Sequence, residues 1–162
     1  MKKLCLIFAL AVLLTGCGAA ETYETLADEV VQSVMAQPKE IKVTLPEEAV
    51  LPAMESDNGT LYICKDYDVT VQTLESGNLE ATIRTISGYS PEELTVMETS
   101  AGEMTKYDFV WTSTSDTGEQ VGRAMILDDG SYHYVLTTMA DADVVSEYKE
   151  IWNGLFESFQ LI

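Results

Sequence analysis

Basic residues are scarce in this chain: nine Lys and Arg stand against 27 Asp and Glu, a formal net charge of −18. A field of that sign repels phosphodiester backbones and anionic headgroups, which argues against a nucleic-acid or lipid-surface binder and predicts no nucleic-acid partner. Histidine is scarcer still, with His133 alone in the sequence. A zinc site built on paired histidines is thereby excluded, and within the run Tyr132-His133-Tyr134 the ring reads as a solvated strand residue. There is no Gly-x-Ser-x-Gly elbow to present a nucleophile, no glycine-rich phosphate loop after a strand, and no Asp-x-Asp-x-Asp-Gly calcium loop. Each absence removes a function class: serine hydrolases of the elbow type, nucleotide binders and EF-hand-like modules. No repeat or low-complexity segment is present, and no cofactor is expected.

What the chain does have begins at its start. Met1-Lys2-Lys3 is a short positive segment, and residues 4–14 form an apolar run too short to span a bilayer, which takes about 20 residues. The run ends in Leu14-Thr15-Gly16-Cys17, which resembles the lipobox of bacterial lipoproteins. That resemblance implies a diacylglyceryl group on the Cys17 thiol and cleavage before it, with membrane attachment through the lipid at the extracytoplasmic face of the cell membrane. The expected division is residues 1–16 as signal peptide, 17–21 as lipidated cysteine and short tether, and 22–162 as one α+β domain, a size that can bury its own core. Loss of Lys2 and Lys3 takes the net charge from −18 to −20. Of the three cysteines, Cys5 leaves with the signal and Cys17 carries lipid. Cys64 therefore has no intrachain partner, and in the β-type run Leu61-Tyr62-Ile63-Cys64 it reads as a buried, inert thiol.

Hydrophobic periodicity organises the rest. Leu26, Val30, Val31, Val34 and Met35 form one stripe of an amphipathic helix over residues 22–37, ended by Pro38. Residues 41–45 and 49–54 are short β-type runs, and Asn58-Gly59 predicts a hairpin turn. Tyr67, Val69 and Val71 alternate with Asp66, Asp68 and Thr70 as in a half-buried strand. Leu79, Ile83 and Ile86 predict a short helix from Asn78 to a left-handed stop at Gly88, and Ser90-Pro91-Glu92-Glu93 a single capped turn. A meander follows, in which Tyr107, Phe109 and Trp111 alternate with Lys106, Asp108 and Val110. It turns at Asp116-Thr117-Gly118, runs through residues 121–127, turns again at Asp128-Asp129-Gly130 and returns over 132–138. Gly122 and Ala124 leave one face of the middle strand shallow, suited to a close helix or to bulky neighbours, and the terminal helix is the expected occupant. That helix, from Asp143 on, carries Val144, Val145, Tyr148, Ile151, Trp152, Leu155, Phe156 and Phe159 as a wide apolar stripe, with Asp141 or Asp143 as its cap.

Few residues offer chemistry. Ser146-Glu147-Tyr148-Lys149 has the Ser-x-x-Lys spacing that puts a lysine one helical turn from a serine, but the partner motifs of penicillin-binding enzymes are missing. Asp128, Asp129, Asp141 and Asp143 are the candidate metal ligands, and they would converge if the last hairpin and the start of the last helix shared one end of the domain. No catalytic residue is assigned.

From residue 78 to 162 the order is helix, strand, three-strand meander and an aromatic terminal helix with Ser158-Phe159 near its end. This resembles PsbP/Mog1-like domains, which implies an antiparallel sheet flanked by helices, an α/β/α sandwich, and implies fold rather than activity. The function expected is a lipid-anchored, extracytoplasmic binding or assembly module with an envelope protein as a partner, and not an enzyme. The competing expectations are a small hydrolase using Ser146, His133 or the aspartates, and a calcium-sensitive structural module.

Overall fold

The computed structural model describes residues 36–162. The expected signal peptide, the expected lipidated cysteine and tether, and the stripe of the first expected helix lie outside the described residues. Nine strands, two α-helices and one 3-10 turn follow in the order β1 (Ile41–Lys42), β2 (Met54–Ser56), β3 (Gly59–Ile63), β4 (Tyr67–Glu75), α1 (Leu79–Ser87), the turn Pro91–Glu93, β5 (Met97–Ala101), β6 (Met104–Ser115), β7 (Gly118–Asp128), β8 (Tyr132–Asp141), α2 (Val145–Ser158) and β9 (Gln160–Leu161). Seven strands form one antiparallel sheet in the order β2-β3-β4-β8-β7-β6-β5, and β1 pairs with β9 as a separate two-stranded ribbon. Among the described residues no helix is long and apolar enough to cross a membrane.

The α+β expectation holds, but the molecule is richer in sheet than a helix-flanked sandwich. Among the described residues, nine of α1 and fourteen of α2 are the α-helix set against seven strands, and they cover only part of each sheet face. On one face α2 places Tyr148, Trp152, Leu155 and Phe156 on Tyr67, Val69, Met125, Leu127, Tyr134 and Leu136. On the other, Ile83 of α1 meets Phe109, Trp111, Ala124, Ile126 and Val135. The alternation of β6 and β7 thus feeds two cores, one above and one below the sheet.

Local signals place α1. The Asn78 side chain accepts from the Glu80 backbone N–H at 2.9 Å, and Gly88 closes the helix at φ 82° with its N–H on the Arg84 carbonyl. The Glu93 carboxylate accepts from both the Ser90 backbone N–H and the Ser90 hydroxyl, each at 2.8 Å, which fixes the capped turn read from Ser90-Pro91-Glu92-Glu93.

Several expectations need correction. The hairpin turn sits one residue early: Ser56 pairs with Gly59, so Asp57 and Asn58 form the loop and Gly59 begins β3. Gly59 is needed there for closeness, since a Cβ would lie 2.7 Å from Gln72 Cγ and 2.8 Å from the Val71 carbonyl oxygen. The apolar run over 49–54 is irregular except for Met54, in keeping with Pro52 inside it. The shallow face made by Gly122 and Ala124 is filled by Trp111 and α1 rather than by the terminal helix, which packs on the opposite face. Neither Asp141 nor Asp143 caps α2 with its side chain. The N-cap is Val144, whose N–H meets the Asp141 backbone carbonyl, and the Asp141 carboxylate accepts instead from Gln120. Ile151, counted in the apolar stripe, is 40% exposed at its rim. The β5–β6 hairpin, turning at Gly102-Glu103 with Gly102 at φ 64°, and the terminal strand β9 were not foreseen.

Candidate functional site

Strand β6 carries an inversion of the usual binary pattern. On its α2 face Asp108 is buried, 7% exposed, while Val110 two residues on is 52% exposed. A buried charge beside an exposed apolar side chain is the informative departure from inside-outside rules. Both residues belong to a groove of about 460 Å³, within the range of small-molecule sites, that lies where α2 leaves the β5–β7 part of the sheet uncovered. The sheet wall is Met97, Val110 and Val121 with Asp108 and Arg123 set among them, and the helix wall is Val145, Ser146, Lys149, Trp152 and Asn153. Met97, on the edge strand, is 60% exposed.

One ion pair lies among the groove's lining residues. Arg123 Nε donates to Asp108 Oδ1 at 3.2 Å and Nη2 to Oδ2 at 2.9 Å, a two-point contact, while Nη1 donates to Asn153 Oδ1 at 3.2 Å. The guanidinium also lies 4.3 Å from the centre of the Phe156 ring. Arg123 therefore ties β6 and β7 to α2. Lys149 has no such partner: among the described residues no carboxylate lies within ion-pair distance of it. The lining charges are one carboxylate, one guanidinium and one ammonium, a positive balance in a strongly acidic chain.

The residues singled out from the sequence are placed as follows. Ser146 and Lys149 both line the groove, so the Ser-x-x-Lys spacing presents them to one space. His133 is not solvated; at 1% exposure it is sealed between the sheet and α1. Its Nδ1 is 2.9 Å from Thr82 Oγ1, and its Nε2 is 3.4 Å from Ser76 Oγ and 3.7 Å from Asp128 Oδ2. Serine and carboxylate thus share one ring nitrogen, whereas a Ser-His-Asp relay places them on opposite nitrogens. The sheet also separates His133 from Ser146, because the first lies on the α1 face and the second on the α2 face.

The four candidate aspartates do not converge. Asp128 and Asp129 sit at the β7–β8 turn and Asp141 ends β8, about 30 Å away at the usual rise per residue, with Asp143 just beyond. The last hairpin and the start of the last helix do not share one end of the domain, because β8 runs the distance between them. Asp129 serves structure: its carboxylate accepts from the Ser131 and Tyr132 backbone N–H groups, from the Tyr134 hydroxyl and from Lys39 Nζ at 3.0 Å. Burial pushes its pKa up, but these four donors together outweigh burial and hold it below the ordinary carboxylate value. Among the described residues no group of three or more His, Cys, Asp or Glu is arranged to hold a metal ion.

Beside the core of α2 a tyrosine cluster joins the helix to β4. Tyr148 donates its hydroxyl to Asp66 Oδ2 at 2.5 Å, which raises the phenol to about 12 and lowers the carboxyl. The Tyr67 ring lies 4.7 Å from that of Tyr148, and burial pushes its hydroxyl up as well. Cys64 is buried beside them, and burial raises its thiol pKa, the state of an unreactive cysteine.

Sequence reasoning missed the groove because its two key groups, Asp108 and Arg123, become diagonal neighbours only through the β6–β7 register. The available signal was one arginine inside the apolar strand run Val121 to Leu127.

No family model and no curated protein sequence matches the chain. Among solved structures it is similar to LpqN of Mycobacterium tuberculosis, described as involved in cell envelope biogenesis, at 12% sequence identity and a TM-score of 0.48, over 78% of this chain and 86% of that one.

Proposed function

We propose that this chain is a lipid-anchored, extracytoplasmic binding module, not an enzyme, and that its ligand occupies the groove between α2 and strands β5–β7. The reading is supported from two directions. The lipobox-like Leu14-Thr15-Gly16-Cys17 argues for an envelope tether on Cys17, which would make the membrane and a neighbouring envelope protein the partners at hand. The observation that carries the binding role is the groove itself, a space of about 460 Å³ with apolar walls and a rigid polar pair at its floor. Exposed apolar side chains gathered beside a concave site are where ligands dock. Catalysis has less support, since His133 is walled off from Ser146 and its serine and carboxylate neighbours meet the same nitrogen.

Native mass spectrometry of the full lipoprotein, released from membranes in lipid nanodiscs, tests the proposal. The expected spectrum shows an acylated Cys17 and a non-covalent mass that is absent from the Val110→Asp variant, whose thermal melt stays within a few degrees of the parent because Val110 is exposed. Identical spectra for parent and variant, with no retained mass, would remove the groove as a binding site.

A further inference from the structure

We infer that the groove takes a monoanionic amphiphile, a single aliphatic chain ended by a carboxylate, with Lys149 and Ser146 at the head and Met97, Val110, Val121 and Val145 along the chain. This rests on the binding reading above and adds the class of ligand.

Three observations lead there. First, the polar groups of the lining that are not already paired sit together, apart from the apolar side chains of the sheet. Val110, Val121 and Met97 line the sheet side, whereas Ser146 and Lys149, three positions apart, share one side of α2. An occupant that satisfies both needs an apolar length and one polar end. Second, the charge count selects the head. Arg123 is already neutralised by its two-point contact with Asp108, so it contributes little net charge to an incoming group. Lys149 is left as one uncompensated cation among the described residues, and one cation matches one negative charge. A phosphate monoester carries between one and two negative charges at neutral pH, more than one ammonium neutralises. Third, the surroundings sharpen the match. In a chain of net charge −18 an anion is repelled over most of the surface, so a groove with a positive balance is where one can be held, and an ammonium beside apolar walls is screened less than one in open water.

The Ser-x-x-Lys spacing thereby acquires a role that needs no covalent step. The Lys149 ammonium supplies three donors and the Ser146 hydroxyl a fourth, enough for both oxygens of a carboxylate. Lys149 lies on the exposed side of α2, so replacing it leaves the core untouched.

Full-length lipoprotein in phosphatidylcholine nanodiscs is photolabelled with a diazirine-bearing dodecanoic acid. Dodecanoate, dodecanol and dodecyl phosphate serve as competitors, and the labelled residues are mapped by mass spectrometry. The expected result is labelling at Met97 or Val110 that dodecanoate displaces at a concentration at least tenfold lower than dodecanol or dodecyl phosphate. Lys149→Met should erase the advantage over dodecanol, and Lys149→Arg should retain it; loss of one charged hydrogen-bond partner corresponds to about tenfold or more. Equal competition by acid and alcohol, stronger competition by the phosphate, or an acid advantage that survives Lys149→Met would each overturn the inference while leaving the groove a binding site. Absence of label from both groove walls would overturn the inference together with the reading beneath it. A circular-dichroism melt of Lys149→Met matching the parent shows that the comparison concerns binding and not folding.

Discussion

Gly122→Ala is a demanding test of the packing described here, because it adds one methyl group where the structure has no room. A Cβ at Gly122 would lie 2.3 Å from Trp111 Cζ2, 2.4 Å from Cε2 and 2.8 Å from Cη2. The clash is with a ring rather than with the end of a flexible chain. Trp111 is 4% exposed, its ring centre is 5.7 Å from that of Phe109, and Ile83, Ala124 and Ile126 belong to the same buried cluster. The indole cannot withdraw without moving α1 or opening the β6–β7 pair. Overpacking of this kind costs about 1–3 kcal/mol, and overlap with three ring atoms puts this site at the upper end, about 3 kcal/mol. In a domain of this size each kcal/mol moves the midpoint by roughly 3–6 °C, so a fall of about 9–18 °C is expected in a thermal melt followed by circular dichroism and tryptophan fluorescence. Trp111→Leu alone also destabilises by opening a cavity, but the double variant should melt well above the additive expectation, because the smaller side chain makes room for the methyl group. A Gly122→Ala protein that melts within 2 °C of the parent, or strict additivity in the double variant, would refute the account of why the middle strand is shallow.

Three further outcomes follow from the same structure. Asp108→Ala leaves the Arg123 guanidinium without its carboxylate in a largely buried place and should cost about 2–4 kcal/mol by urea denaturation, whereas Asp108→Leu with Arg123→Met should recover most of it; equal losses in both would show that the pair does not matter as a pair. Asp129 has a lowered folded-state pKa, so its contribution is fully present above the ordinary carboxylate value and is lost as pH falls through and below it. Asp129→Asn should therefore destabilise at pH 7 and make acid unfolding shallower, and parallel pH–stability curves would count against the role given to its four donors. Tyr148 has a raised pKa, so the folded state holds its proton and the contribution present below the ordinary tyrosine value is lost as pH rises towards about 12. Ultraviolet titration of Asp66→Asn should bring one phenol back towards the ordinary value, and an unchanged late phase would place that phenol elsewhere.

Legibility in the sequence followed the range of the interaction. The bounds of α1 depend on Asn78 and Gly88, each acting within one turn of its own position, and both could be read directly. The meander was legible because Tyr107, Phe109 and Trp111 repeat at period two and the turns at Asp116-Thr117 and Asp129-Gly130 are marked by their residue types. The hairpin at Asp57-Asn58 was misplaced by one residue because Gly59 has a second use, close approach to β4, that no local pattern distinguishes from a turn. His133 was misjudged because a strand pattern says which residues share a face but not which helix will cover it.

By itself the sequence determined the acidic surface, the lipobox-like start, the existence and approximate bounds of the two described helices, and the alternation that makes β6 to β8 neighbours. These properties depend on residues near one another along the chain, where spacing and residue type act without knowledge of the rest. Only the tertiary structure decided that Asp108 meets Arg123, that Asp129 and Asp141 stand at opposite ends of one strand, that His133 is sealed beneath α1, and that Ser146 and Lys149 face Val110 across an open groove. The reason is that strand register and the side of the sheet on which each helix lands are set by the joint burial of both faces, and the two described helices are too short to cover seven strands between them.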